Sequence, residues 1–136
     1  MKVVVDTNVI VSGLVNAFSP PGVIVRMIAL GDLQLCYDIR ILSEYKEVLL
    51  RPKFTFNKLD IDDFIKQIEA CGIMVTGTPL GKSLPDPNDE ISLEIALAGK
   101  AICLITGNLK HYPVKRCEDM LILSPTDFLD YYRNKK

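Results

Sequence analysis

Short, largely apolar runs, Val3-Val4-Val5, Leu33 to Tyr37, Gly72 to Val75, Ala101 to Thr106 and Leu121 to Leu123, alternate along the chain with segments whose apolar residues recur every three or four positions. Apolar runs this short read as strands buried on both faces, and a helical period between them reads as a crossover. Few architectures accept that alternation. It predicts an α/β three-layer sandwich, with a central, mainly parallel sheet flanked by helices. The 136 residues suit one such domain, residues 1–136, and no internal repeat marks a second.

Composition narrows the setting. With 49% hydrophobic and 24% charged residues the chain reads as a folded protein with a core, not as a disordered one. No apolar run approaches the roughly 20 residues that span a bilayer. The apolar start after Lys2 is broken at once by Asp6-Thr7-Asn8, unlike a secretory signal. The expectation is a cytoplasmic protein with no membrane partner. Cys36, Cys71, Cys103 and Cys117 form no C-x-x-C pair, and His111 is the sole histidine, which argues against zinc and for reduced thiols. A net charge of -1 gives no bulk attraction for nucleic acid, so any such contact must come from local patches.

Taken in order, Thr7 to Leu14 is helix-like, Phe18 to Gly22 reads as a loop because two prolines interrupt it, and Val23 to Leu30 reads as a helix closed by Gly31. In the helix predicted for Ile39 to Leu50, Ile41, Leu42, Tyr45, Val48 and Leu49 form an apolar stripe. Glu44 interrupts that stripe. A carboxylate on an inward face needs a partner or a metal. Asp60 to Cys71 is a further helix, and Gly77 to Pro87 a loop. Asn88 to Ala98 is again helical, with Asp86, Asp89 and Glu90 clustered at its start. Gly107 to Pro113 is a loop beyond a strand end, and Ser124-Pro125 opens the last helix.

Asp6, Glu44 and the pair Asp86 and Asp89 each follow a strand, and in a parallel sheet such positions gather at one edge. Carboxylates a few ångströms apart do not all stay ionised without a cation, and oxygen ligands without His or Cys select Mg²⁺ or Mn²⁺. Each acid also has a plainer reading: Asp6 as a helix cap, Glu44 as a surface acid, Asp86 and Asp89 as turn and cap residues. Those readings leave an acid within an apolar stripe to coincidence. Gly77 to Ser83 is not a phosphate loop, because only three residues separate its glycines where four are required. His111 alone reads as a loop residue, and no serine has a histidine in a catalytic context.

Val5-Asp6-Thr7-Asn8-Val9, Ser43-Glu44-Tyr45, Asp86-Pro87-Asn88-Asp89-Glu90, Thr106-Gly107-Asn108 and Ser124-Pro125-Thr126-Asp127 together resemble the PIN domain family, and within it the toxin-like branch of VapC type. The resemblance implies a metal-dependent endoribonuclease acting as the toxin of a toxin–antitoxin pair. It implies Asp6, Glu44 and Asp89 as ligands of Mg²⁺ or Mn²⁺, Asp86 as an additional catalytic acid, Asn8 as the group that orients Asp6, and Thr106 and Asn108 as supporting residues. Where many members carry a further acid this chain has the neutral Asn108, and at a later aspartate position it has His111. Both departures reduce the acid count and bear on a second metal ion. RNA is the implied substrate, with a homodimer and a small antitoxin as implied partners. Arg51, Lys53, Lys110, Lys115 and Arg116 are candidate phosphate contacts. A catalytically silent RNA-binding or scaffold protein of the same fold, and a Mg²⁺-dependent phosphatase, are the alternatives.

Overall fold

A computed structural model describes residues 1–76, 87–112 and 120–134. Asp86, Lys115, Arg116, Cys117 and the stretch Gly77 to Ser83 therefore lie outside the described residues. Five strands, β1 (Lys2–Val5), β2 (Gln34–Tyr37), β3 (Ile73–Met74), β4 (Cys103–Ile105) and β5 (Ile122–Leu123), form one sheet in the order β3-β2-β1-β4-β5. Every pairing is parallel, as the alternating pattern requires. The helices are α1 (Thr7–Val15), α2 (Pro20–Ala29), α3 (Ile39–Leu49), α4 (Lys58–Cys71), α5 (Pro87–Ala98) and α6 (Pro125–Arg133).

β1 lies at the centre because its residues suit only a centre: Val3, Val4 and Val5 are fully buried. From β1 the chain builds outward to β2 and β3, then returns to β4 on the other side and continues to β5. Right-handed crossovers therefore set α1 to α4 on one face and α5 on the other. The reversal of strand order between β1 and β4 opens a crevice at their carboxyl ends, where sheets of this kind bind ligands. Asp6 and Thr106, the residues that follow these two strands, both stand there.

One expectation is corrected. Pro20-Pro21-Gly22 is not a loop but the first turn of α2, with Ser19 as its cap; the Ser19 hydroxyl accepts from the Gly22 N–H at 3.2 Å. Proline stops a helix only from within; at its first positions there is no intrahelical N–H bond to lose. Gly13 has a reason of its own, since a Cβ there would come within 2.5 Å of Val25 and 2.6 Å of the Pro21 carbonyl. Its absence lets α1 and α2 meet closely at a 99° bend. Among the described residues no single helix is long and apolar enough to cross a membrane.

Cys36 and Cys103 are buried as expected, while Cys71 is exposed. Burial pushes the Cys103 thiol up to about 12 and raises that of Cys36, so neither is a ready nucleophile.

An ion cluster without a sequence signature ties α3 to α5. Arg40 reaches Asp38 and Glu94, each at 2.8 Å, and both acids are mostly buried. Arg40→Ala is expected to lower stability by about 1–2 kcal/mol in urea unfolding. That is less than the ~3–5 kcal/mol of breaking a fully buried pair, because the Arg40 side chain is 44% exposed and water screens it. An unchanged midpoint would show that the cluster contributes nothing.

Candidate active site

The crevice is a pocket of ≈ 160 Å³ lined by Asp6, Thr7, Glu44, Asp89, Ser92 and His111, with Asn8 and Asn108 at its side. Three of the predicted acids thus share one cavity. Asp6 opens α1, yet its side chain makes no capping hydrogen bond. It turns into the crevice instead, only 4% exposed.

Tyr112 holds that carboxylate. Its phenol lies 2.9 Å from one Asp6 oxygen and 3.0 Å from the other, and 3.5 Å from the Asp89 carbonyl. Thr106 and Ser92 add side-chain hydrogen bonds to Asp6. Burial nevertheless wins: it raises the Asp6 pKa above 3.8, against the lowering pull of those bonds and of the charge His111 carries when protonated. The Tyr112 hydroxyl is pushed far up by its burial and by the carboxylates of Asp6 and Asp89, so it remains a proton donor at any ordinary pH.

The other two acids are positioned separately. Glu44, half-buried in the second turn of α3, accepts from the Thr7 hydroxyl. Asp89, in the first turn of α5, meets Nδ1 of His111 at 2.9 Å. His111 is therefore more than the loop residue that the sequence suggested: it lies in a short 3-10 turn, Leu109–His111, which brings its ring to the acids. Tyr45, next to Glu44, is buried and donates its hydroxyl to the Val5 carbonyl, which fixes α3 against β1.

Asn8 is placed differently from its expected role. Its side-chain oxygen accepts from the Gly107 N–H at 3.4 Å, joining α1 to the loop after β4. Tyr112, Thr106 and Ser92 do the orienting of Asp6. Thr106 is fully buried and also accepts from the Asn108 N–H at 3.0 Å. Ser92 follows Asp89 by three residues on one helix, a spacing that would have revealed it. Tyr112 had no local signal.

The basic candidates separate. Arg51 pairs with Glu47 at 3.0 Å, and Lys53 lies over the Phe54 ring at 5.0 Å. Both follow the far end of α3, and neither lines the pocket. Lys110, exposed in the turn between Asn108 and His111, does lie beside the crevice.

The sequence profile of the PIN domain matches residues 2–110. The chain belongs to the PIN domain family. No curated protein matches it. PIN domains are generally nucleases that need a divalent metal. In this PIN domain the match ends just before His111 and Tyr112, the two residues that hold Asp89 and Asp6.

The donor set suits a hard cation: carboxylate oxygens from three elements line one pocket, and one of them is buried among hydroxyls. Among the described residues, however, no three His, Cys, Asp or Glu side chains are gathered closely enough to share an ion. Glu44 is held by Thr7 and Asp89 by His111. The acids fit a divalent metal in kind and line one pocket, and sharing an ion requires Glu44 and Asp89 to turn from Thr7 and His111.

Proposed function

We propose that the chain is a Mg²⁺- or Mn²⁺-dependent endoribonuclease that hydrolyses RNA phosphodiester bonds. The observation that carries this reading is the shared pocket of Asp6, Glu44 and Asp89 at the switch point of the sheet. These three would hold the metal. When bound, the ion supplies an activated water and charge neutralisation on the phosphoryl oxygens.

The chain's own residues do the rest. Tyr112, Thr106 and Ser92 keep Asp6 in one orientation, Thr7 steadies Glu44, and His111 steadies Asp89. Asn8 and Asn108 furnish neutral amides at the side of the pocket, where a phosphodiester meets no added negative charge. Asp86, three residues before Asp89 in sequence, is proposed as a further acid. The likeness to the toxin branch supports a cytoplasmic toxin, a homodimer and a small antitoxin that covers the crevice. Coexpression with the product of a short reading frame directly upstream tests that role: relief of growth arrest supports it, and a harmless chain opposes it.

The decisive assay offers structured and single-stranded RNAs and a generic phosphate ester to purified protein with Mn²⁺, Mg²⁺ or EDTA. RNA is expected to be cut with either ion and left whole in EDTA. Ester turnover without RNA cleavage would make the protein a phosphatase. RNA binding with no turnover would make it a silent binding protein, a reading favoured by the Asp89–His111 pairing and the neutral Asn108.

A further inference from the structure

Next to the acid crevice lies a second cavity, of ≈ 250 Å³. Asn8 and Ser12 of α1 form one side, Gly107 and Asn108 another, and Pro21 and Pro125, from the first turns of α2 and α6, close it. Asn8 and Asn108 line both cavities, so the two adjoin. The chemistry changes sharply across that shared wall. The first cavity has three carboxylates; no residue lining the second is ionisable.

Two helix starts face this cavity, which would ordinarily suggest a phosphate site. Most of their backbone donors are already removed or engaged. Pro20 and Pro21 have no N–H, and the Gly22 N–H goes to the Ser19 hydroxyl. Pro125 has none, and the Asp127 N–H goes to the Ser124 hydroxyl at 3.1 Å. With no cation in the lining either, an anion gains little here. What the cavity offers is proline ring faces and two carboxamides. The Asn8 oxygen accepts from Gly107, which leaves its NH₂ group to donate. The Asn108 carboxamide makes no hydrogen bond among the described residues. Carboxamides read the edges of unstacked bases, and apolar faces receive their planes.

We infer that this neutral cavity is a nucleobase subsite, which takes the base of a nucleotide adjoining the phosphodiester in the acid crevice. The inference rests on the nuclease reading of that crevice. It gives the protein a base preference at one position beside the cut.

Ser12→Trp tests it by filling the cavity. Ser12 is exposed on α1, and its structural bond, from the Asn16 N–H to its carbonyl, is a backbone one that survives substitution. Asn108→Ala is the second variant and removes a reading group without adding bulk. Fluorescent oligonucleotides of A, C, G and U are titrated in an Asp6→Asn background, where bound RNA stays uncut, and cleavage sites on a mixed RNA are mapped with Mn²⁺. The unsubstituted cavity should separate the best from the worst base by about tenfold. Both variants should compress that range to about twofold and broaden the cleavage pattern. A variant whose Tm no longer matches the parent's is set aside, and the other decides. Equal affinity for all four bases, or an unchanged ranking in the folded variant, would overturn the subsite while leaving an RNA-cutting enzyme a nuclease. Absence of both RNA binding and cleavage in the parent would overturn the nuclease reading as well.

Discussion

Asp6→Asn is expected to reduce RNA cleavage by at least about 10²-fold, beyond the ~10–100-fold that follows loss of an outer partner of a metal ligand, while leaving the fold at least as stable as the parent. The two effects have one cause. Asp6 is nearly fully buried, and its pKa is raised because burial disfavours the carboxylate. A group whose folded pKa lies above its unfolded value binds protons more tightly in the native state. Its charged form therefore subtracts stability as pH rises from the unfolded value, near 3.8, through the folded one, and the whole penalty is present at neutral pH. Asparagine keeps the shape and discards that penalty. In EDTA the parent should lose Tm through this acidic window more steeply than the variant. Added Mn²⁺ should raise the parent's Tm by binding the native state, and the variant's much less. Cleavage by a folded Asp6→Asn protein at the parental rate would remove Asp6 from the mechanism.

The central sheet was legible because its signal is local. Val3-Val4-Val5 suits only a strand buried on both sides, and alternation with helical periods leaves parallel crossovers as the connection. Glu44 betrayed itself by breaking a stripe in which Ile41, Leu42, Tyr45 and Leu49 pack inward. Asp89 stood out by its place in the first turn of α5. The prolines of α2 misled because the same residue ends a helix from within and begins one from outside. Arg40 gave no sign, since one of its two acids, Glu94, is 54 residues away. The same holds for the groups that hold the acids. Tyr112 is 106 residues from Asp6 and His111 is 22 from Asp89, and periodicity carries no record of such contacts. The neutral cavity beside Asn8 and Asn108 was equally hidden, being formed by residues of three helices and one loop.

Tyr112→Phe is expected to reduce Mn²⁺ affinity and RNA cleavage by about 10–100-fold, the range found when a metal ligand loses the group that orients it. The substitution keeps the buried ring and deletes one hydroxyl. That hydroxyl reaches both Asp6 oxygens and lies near the Asp89 carbonyl, so it couples the end of β1 to the start of α5. Without it the carboxylate keeps only Thr106 and Ser92, and its pKa should rise further. Leaving a buried carboxylate short of a donor should also lower stability by about 1–3 kcal/mol at neutral pH. This loss should shrink as pH falls and Asp6 takes up a proton. A purely packing role for Tyr112 makes different demands: phenylalanine would then preserve Mn²⁺ affinity, and leucine would not. A double-mutant cycle separates the two. If Tyr112 acts through Asp6, its substitution should have little further effect on Mn²⁺ affinity once Asp6 is asparagine, whereas an independent packing role would give additive losses.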